Sequence, residues 1–245
     1  MATGGKTVRL TDRADTYTTK TGDEYVYALG GDDKITFGGF YWPDNEEYGR
    51  LEVRGGSGND RILGGDGNSG QYLYGEDGND YLEVGHGDGD SAARGGRGSD
   101  VLRSLGGGGD GNYLFGDQGN DTLYAGDGGH VRLNGGIGKD RMVAGAGEDE
   151  FVFFTNHTVA GSNRDVIKNY NTADLIDLGG MDANKSVAGD QGFTFAGATR
   201  DPGRAELGYY VKDGDTIVVG DDGAKTFEIE LDQFTGAVDG SDFVL

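Results

Sequence analysis

Five aspartates recur at nearly constant spacing, and each closes a glycine-rich hexapeptide of the form Gly-Gly-x-Gly-x-Asp or a close variant. They are Asp60, Asp80, Asp100, Asp121 and Asp140, separated by 20, 20, 21 and 19 residues. Carboxylate oxygens and the backbone carbonyls exposed by glycine are the donors that a hard cation such as Ca²⁺ takes, six to eight at a time. The residue types and their spacing therefore predict a series of calcium sites.

An apolar residue follows each of these aspartates two positions later: Ile62, Leu82, Leu102, Leu123 and Met142. A second, weaker set of glycine-rich segments lies halfway between the strong ones. This pattern predicts a solenoid in which each half-turn has a glycine-rich loop and a short strand with an inward apolar side chain. A single half-turn cannot bury its apolar side, so stacked turns must create the core.

The predicted fold class is all-β: a parallel β-roll of glycine-rich calcium-binding repeats, capped by a C-terminal antiparallel β segment. We assign residues 1–154 to the roll, with an insertion at about 37–49 that contains Phe40-Tyr41-Trp42. Residues 155–245 form the β-rich capping segment, because the glycine loops stop there. Apolar and polar residues alternate instead, as in 227–231, which is the period of a half-buried strand.

The glycine-rich loops resemble the nonapeptide calcium-binding repeats of secreted bacterial RTX (hemolysin-type) proteins. Several later segments resemble the C-terminal domain of serralysin-type metalloproteases: 148–153, 165–167, 174–178, 189–195, 215–219, 227–231 and 241–245. The resemblance implies a calcium-loaded roll, an extracellular location, and a C-terminal signal that the type I secretion apparatus reads. That signal would end in Asp242-Phe243-Val244-Leu245.

The same resemblance implies that each ion lies between loops of successive turns on one edge, bound by the aspartates of both loops and by backbone carbonyls. Five strong loops define four such sites, so several calcium ions, about four or more, are expected. The candidate ligands are Asp33, Asp60, Asp80, Asp90, Asp100, Asp121, Asp140 and Asp149, with the loop residues Gly55, Ser57, Gly58, Gly75, Asp77, Gly78, Gly95, Arg97, Gly98, Gly116, Gln118, Gly119, Gly135, Ile137 and Gly138.

The opposite edge of the predicted roll carries fewer carboxylates. Its sixth loop positions are predicted at Glu24, Ser69, Asp90, Asp110, near His130, and at Asp149. Because several of these positions lack an acid, we expect sparse or no calcium there, with extra loop residues in its place.

Composition and charge limit the possible partners. The chain has 21 basic and 43 acidic side chains and a net charge of −22. A protein this acidic is repelled by phosphate, so nucleic acid is not an expected partner. No apolar run approaches the roughly 18 residues of a membrane-spanning helix. There is no cysteine, which excludes thiol chemistry and disulfides.

A row of aromatic and basic residues is predicted on the outward face of one sheet. Alternation along the strands places Arg54, Tyr74, Arg94 and Phe115 in one row and Tyr72, Tyr113 and Arg132 in the next. Such a face could bind an extracellular polysaccharide or a cell-surface protein. Alternatively, another segment covers it, or it only keeps the sheet soluble.

Catalysis is not expected from this chain. The histidines are His86, His130 and His157, so the His-Glu-x-x-His zinc helix of the serralysins is absent. The leading hypothesis is a secreted calcium-binding module with a structural or binding role, which folds on calcium outside the cell. One alternative is a secretion and folding module of a longer extracellular enzyme of the metalloprotease or lipase type. Another is a polysaccharide binder or adhesin.

Overall fold

The computed structural model describes residues 5–20, 24–38, 50–65, 70–86, 90–106, 111–155, 157–186, 189 and 191–245. The predicted insertion lies largely outside these ranges, together with its Phe40-Tyr41-Trp42 segment. Ser69 and Asp110, which the loop spacing places on the opposite edge, also lie outside the described residues.

Short strands dominate the described residues. The strands are β1 Lys6–Arg9, β2 Thr16–Thr18, β3 Glu24–Tyr27, β4 Lys34–Thr36, β5 Leu51–Ser57, β6 Arg61–Leu63, β7 Gln71–Asp77, β8 Tyr81–Val84, β9 Ala92–Arg97, β10 Val101–Ser104, β11 Asn112–Gln118, β12 Thr122–Tyr124, β13 Val131–Ile137, β14 Arg141–Val143, β15 Glu150–Phe154, β16 Asp165–Lys168, β17 Leu175–Gly180, β18 Thr194–Ala198, β19 Glu206–Lys212, β20 Asp215–Asp221, β21 Thr226–Asp232 and β22 Phe243–Val244. Two 3-10 turns lie at Gly161–Asn163 and Gly240–Asp242. Neither could span a membrane, and the described part of the chain has no other helix.

Successive strands alternate between two sheets. Sheet A has the order β1-β3-β5-β7-β9-β11-β13-β15-β17-β22, and sheet B contains β2, β4 and the even strands up to β16. Neighbours within this series are parallel, with β7 and β9 paired at Leu73 and Ala93, for example. One turn of chain thus adds one strand to each sheet, and the predicted parallel β-roll is confirmed.

The core consists of two columns of inward side chains, one from each sheet. All of them are at most 1% exposed: Val53, Leu73, Ala93, Leu114, Leu133, Ile62, Leu82, Leu102, Leu123 and Met142. Each strand contributes only one or two such residues, so the neighbouring turns must exclude water from them.

The C-terminal region continues the roll before it changes pattern. Strand β16 pairs in parallel with β14, and β17 pairs in parallel with β15, so the parallel stacking extends beyond residue 154. The predicted antiparallel segment is formed by β19, β20 and β21, which extend sheet B next to β16. The chain ends in β22, which pairs with β17.

Candidate calcium site

The sixth-position aspartates form one column along an edge of the roll. The backbone N–H of Asp80 donates to Oδ1 of Asp100 at 2.8 Å, and the N–H of Asp100 donates to Oδ1 of Asp121 at 2.8 Å. The same contact, at 2.6 to 2.8 Å, joins Asp15, Asp33, Asp60, Asp80, Asp100, Asp121, Asp140 and Asp165 in succession. Each carboxylate is therefore held in place by the turn that precedes it.

The other carboxylate oxygen of these side chains has no partner. Oδ2 is buried without a hydrogen bond in Asp33, Asp60, Asp80, Asp100, Asp121 and Asp140. These six residues are only 1 to 2% exposed. An ionised carboxylate buried in this way is strongly unfavourable unless a cation or a donor compensates it. A row of orphaned anionic oxygens on one edge is what a series of cations would satisfy.

The first glycine of each loop leaves room for these oxygens. A Cβ on Gly55 would lie 2.1 Å from Oδ2 of Asp60 and 2.9 Å from the carbonyl oxygen of Gly75 in the next turn. The corresponding distances from a Cβ to the aspartate Oδ2 are 2.2 to 2.4 Å at Gly75, Gly95, Gly116 and Gly135. The glycines thus hold open a cradle in which oxygens of two successive turns come together.

We expect Gly95→Ala to disrupt this cradle, because its Cβ would lie 2.2 Å from Oδ2 of Asp100. The melting temperature in calcium should fall and calcium affinity should drop at least tenfold. The matched control is Gly128→Ala, since nothing lies within 4 Å of a Cβ at that position. Thermal melts and calcium titrations of both variants check the prediction. Equal behaviour of the two would contradict it.

Burial raises the pKa of every aspartate in the middle of the column. Loss of water raises the pKa of Asp80, Asp100 and Asp140 to about 6, of Asp60 to about 7 and of Asp121 to about 8. The hydrogen bond from the preceding turn lowers each pKa only in part, and neighbouring carboxylates raise those of Asp60 and Asp121 further. Without a cation, the folded column therefore retains protons near neutral pH.

The donor chemistry of this edge fits Ca²⁺. Among the described residues, the polar atoms nearest to the first glycine of each loop are carboxylate and carbonyl oxygens. Oxygen-only, flexible sites with several carboxylates suit calcium, whereas zinc sites use nitrogen and sulfur. The aspartates and loop carbonyls of successive turns are the groups that would hold the ion.

The column extends further than the five strong loops. Asp33 joins it despite the insertion that follows, because β4 pairs directly with β6. At the other end Asp165, in the segment assigned to the cap, accepts the N–H of Asp140. Asp165 has no glycine-rich loop, so the motif did not identify it. The sequence feature that Asp165 shares with the other aspartates of the column is the residue two positions later, Ile167, which faces the core.

The backbone carbonyl at the third position of each loop already accepts a hydrogen bond from the preceding turn. The carbonyl of Asp77 accepts the N–H of Gly58, and that of Arg97 accepts the N–H of Gly78, each at 2.9 Å. The same contact involves Ser57, Gln118 and Ile137, with Gly31, Gly98 and Gly119 as donors. Since a carbonyl oxygen has two lone pairs, it can also bind an ion. The side chains at these third positions are exposed.

On the opposite edge the strand register corrects the predicted alignment. Ser91, not Asp90, lies in the column between Gln71 and Asn112, and Asp90 is exposed. The reason is that each residue of this column lies nine positions before the aspartate of the next strong loop, as Ser91 lies nine positions before Asp100. The residues in excess of nine per half-turn are therefore accommodated in the loops of the opposite edge, and this shifts the register there by one or more residues.

Asp149 is buried on this opposite edge, but neither of its oxygens is orphaned. Oδ1 accepts the N–H of Val131 at 3.2 Å, and Oδ2 accepts the N–H of Gly145 at 2.7 Å. Its own N–H donates to Oδ1 of Asp174 at 3.0 Å. Burial raises the pKa of Asp149 to about 6. Backbone donors already occupy the oxygens that a cation would need, so we leave Asp149 out of the proposed ligand set.

Another group of acids lies in the C-terminal segment. Ligand oxygens of Asp215, Glu230 and Asp232 lie within 4.8 Å of one another. Arg164 pairs with Glu230, and Lys168 pairs with Asp232. Two of the three carboxylates thus have cationic partners within the protein, so this group does not resemble the orphaned column.

The aromatic and basic residues lie on the outward face of sheet A, as the alternation predicts. The guanidinium of Arg54 lies 4.5 Å from the ring centre of Tyr74, and that of Arg94 lies 4.8 Å from that of Phe115. Arg54 also pairs with Glu76 at 3.1 Å. Consecutive turns thus form a ladder of stacked and paired side chains.

The second outward row has the same character. Arg50 lies 4.1 Å from the ring centre of Tyr72, and Arg132 lies 5.8 Å from that of Tyr113. Arg132 also pairs with Glu150. Arginines cover faces of these rings, and carboxylates pair with the arginines. The aromatic and charged groups of this face therefore have most of their partners within the protein. Such contacts contribute about 0.5–1 kcal/mol each at exposed sites.

Comparison with known proteins agrees with this geometry. A family model described as the RTX calcium-binding nonapeptide repeat (4 copies) matches residues 11–40, 52–69, 72–89, 106–129 and 125–151. These segments contain most of the aspartate column. No curated protein matches the chain.

Several solved structures are similar to this chain. The AlgE6R2 subunit of the Azotobacter vinelandii mannuronan C5-epimerase is 23% identical, with a TM-score of 0.43 over 62% of this chain and 90% of that one. The AlgE6R3 subunit of that epimerase is 23% identical, with a TM-score of 0.34 over 66% and 78%. The extracellular lipase LipA of Serratia marcescens is 16% identical, with a TM-score of 0.43 over 99% of this chain and 40% of the lipase.

The aspartate spacing, the parallel roll and the family match all concern the same loops. Residues 11–40, 52–69, 72–89 and 106–151 of this chain thus match the RTX calcium-binding nonapeptide repeat.

Proposed function

We propose that this protein is a secreted, non-catalytic structural module that folds when calcium fills the aspartate column. The observation that carries this proposal is the row of six buried aspartate Oδ2 atoms without a partner on one edge of the roll. Calcium would bind between successive aspartates from Asp33 to Asp165. These intervals number six, so as many as six ions are expected.

Electrostatics makes the ion part of the folded state. Adjacent parallel strands are about 4.8 Å apart, so stacked carboxylates repel one another by roughly 3 kcal/mol per pair at an effective dielectric constant of about 20. Calcium removes this repulsion. It also adds about 2.7 kcal/mol of stability per ion when its concentration is about 100 times the dissociation constant. Folding and calcium binding should therefore occur together.

Coupled folding and binding suits export through a type I apparatus. The chain would remain unfolded where calcium is scarce, pass through the apparatus, and fold in the calcium-rich exterior. Secretion is supported by the match to the RTX repeats, a family whose members are typically secreted. A folding and secretion module of a longer extracellular enzyme would use the same chemistry.

Calcium should induce the strand structure cooperatively. We expect the chelated protein at pH 8 to show little strand signal in far-ultraviolet circular dichroism, because most of the aspartate column is then charged. Added Ca²⁺ should restore the signal with a steep titration curve. Mg²⁺ should not, because it demands a small octahedral site and loses its water reluctantly.

The control for this titration is ionic strength, since monovalent salt screens charges without entering the cradle. Recovery of the strand signal with NaCl alone would show that general screening suffices. A chelated protein with full strand signal and an unchanged melting temperature would contradict the proposal.

Polysaccharide or cell-surface protein binding remains a second candidate for the outward face of sheet A. Glycan-array binding that is abolished by Tyr72→Ala with Tyr113→Ala would favour it. The guanidinium contacts on these rings instead support a stabilising role for the face. With that role, the array would show no binding and the double variant would melt at a lower temperature.

A further inference from the structure

The edge opposite the aspartate column contains a different set of buried polar residues. Gln71, Ser91 and Asn112 occupy equivalent positions in three successive turns, and they are 1 to 4% exposed. All three are uncharged. In these three turns the edge therefore buries polar groups without burying a charge.

These residues reproduce the contact that joins the aspartates. The N–H of Gln71 donates to Oγ of Ser91 at 3.0 Å, and the N–H of Ser91 donates to Oδ1 of Asn112 at 3.3 Å. In both columns a backbone N–H thus donates to a side-chain oxygen one turn later. The geometry is the same, but the acceptor is a hydroxyl or an amide instead of a carboxylate.

The remaining polar atoms of this ladder are also satisfied within the protein. Gln71 donates from Nε2 to the carbonyl of Gly65 at 2.6 Å and accepts the N–H of Gly85 at 3.3 Å. Asn112 donates from Nδ2 to Oγ of Ser104 at 2.9 Å. No atom of Gln71, Ser91 or Asn112 belongs to the described buried atoms that lack a partner.

The two edges therefore differ in whether their buried groups need a cation. The aspartate edge has six orphaned anionic oxygens, whereas this ladder has none. Calcium affinity depends on the number of charged ligands, and neutral oxygens alone make a weak site. A neutral, fully hydrogen-bonded ladder gains nothing from a cation and loses its contacts if the side chains turn towards one.

We infer that Gln71, Ser91 and Asn112 form a metal-independent ladder, which binds no calcium itself and so leaves the ions to the aspartate edge in these three turns. This inference rests on the proposed function, because it assigns calcium to one edge of a calcium-dependent roll and neutral hydrogen bonds to the other. The ladder holds three turns together through neutral hydrogen bonds, while the ions hold the same turns together on the other side.

The test compares one residue from each edge in the full chain. Ser91→Ala removes the hydroxyl that accepts from Gln71, and Asp80→Asn removes one carboxylate of the column while it keeps an oxygen for the same hydrogen bond. Bound calcium is counted by equilibrium dialysis and atomic emission, and melting temperatures are measured in saturating calcium. Ser91→Thr, which retains the hydroxyl, is the matched control for Ser91→Ala.

We expect Ser91→Ala to bind as many calcium ions as the unmodified protein. It should melt roughly 2–4 °C lower, the effect of one lost hydrogen bond in a chain of this size. Ser91→Thr should restore the melting temperature, and Asp80→Asn should bind fewer ions.

Loss of calcium from Ser91→Ala, with normal binding by the unmodified protein, would overturn the inference and leave the proposed function intact. If the unmodified protein binds no calcium, the proposed function itself fails. If Ser91→Ala does not fold, calcium is counted on Ser91→Thr and Asn112→Ser, which alter the two acceptors less. A lower count in either would again overturn the inference.

Discussion

Asp100→Asn should release about two calcium ions, because Asp100 borders the intervals to both Asp80 and Asp121. The asparagine can still accept the N–H of Asp80, which donates to Asp100 at 2.8 Å. The substitution therefore removes the charge and leaves the inter-turn hydrogen bond. Fewer charged ligands weaken a calcium site, and altered ligand surroundings commonly cost 10- to 100-fold in metal affinity.

The loss of stability should be large. Two ions at about 100 times their dissociation constants contribute roughly 5 kcal/mol, or roughly 10–20 °C in melting temperature for a chain of this length. Isothermal titration calorimetry gives the number of ions, and thermal melts in calcium give the stability.

The matched control for Asp100→Asn is Asp77→Asn, a substitution of the same kind in a neighbouring loop. The Asp77 side chain is 61% exposed and pairs with Arg97 at 3.4 Å, an exposed contact that contributes at most about 1 kcal/mol. We expect this control to keep its calcium and its melting temperature. An Asp100→Asn protein that retains the full number of ions would contradict the account.

The calcium-free protein should gain stability as the pH falls, which is the reverse of ordinary acid denaturation. Burial raises the pKa of Asp60 to about 7, of Asp121 to about 8 and of Asp100 to about 6, from ordinary values near 3.8 in the unfolded chain. Between pH 3.8 and the raised pKa of each aspartate, the folded state binds more protons than the unfolded state. Each group then lowers the free energy of unfolding by about 1.4 kcal/mol per pH unit as the pH rises.

The stabilisation is therefore fully present below about pH 4 and is lost as the pH rises through 6 to 8. Circular dichroism of the chelated protein should show strand signal that increases from pH 8 to pH 4. In saturating calcium the direction reverses, because protons compete with the ion for the same carboxylates. Asp121→Asn should shift the calcium-free transition to higher pH, since it removes one of the aspartates whose ionisation most strongly opposes folding. A strand signal that is independent of pH in chelator would contradict this prediction.

The aspartate column could be predicted because its signal is local. The loop hexapeptide places glycine where the backbone must be open, and the apolar residue two positions later fixes which side faces the core. Gly98 shows the constraint directly: its φ is +135°, and a Cβ there would lie 1.7 Å from the carbonyl oxygen of Gly78. Few other residues fit such a position, so the sequence repeats it in turn after turn.

The ends of the column and the other edge could be predicted less well, because their positions depend on strand pairing. Asp165 joins the column only because β16 pairs with β14. Ser91 replaces Asp90 because the longer loop shifts the register by one residue, and such a shift exchanges the inward and outward faces of a strand. The sequence also places Arg94 and Phe115 in one outward row, but their contact at 4.8 Å depends on the side-chain conformations.

A crystal structure of this chain grown in calcium would locate the ions through anomalous difference density at the edges of the roll. We expect strong peaks beside the Oδ2 atoms of the aspartate column, between successive turns, and none beside Ser91 or Asn112. Water alone at those Oδ2 atoms, in crystals with abundant calcium, would contradict this prediction.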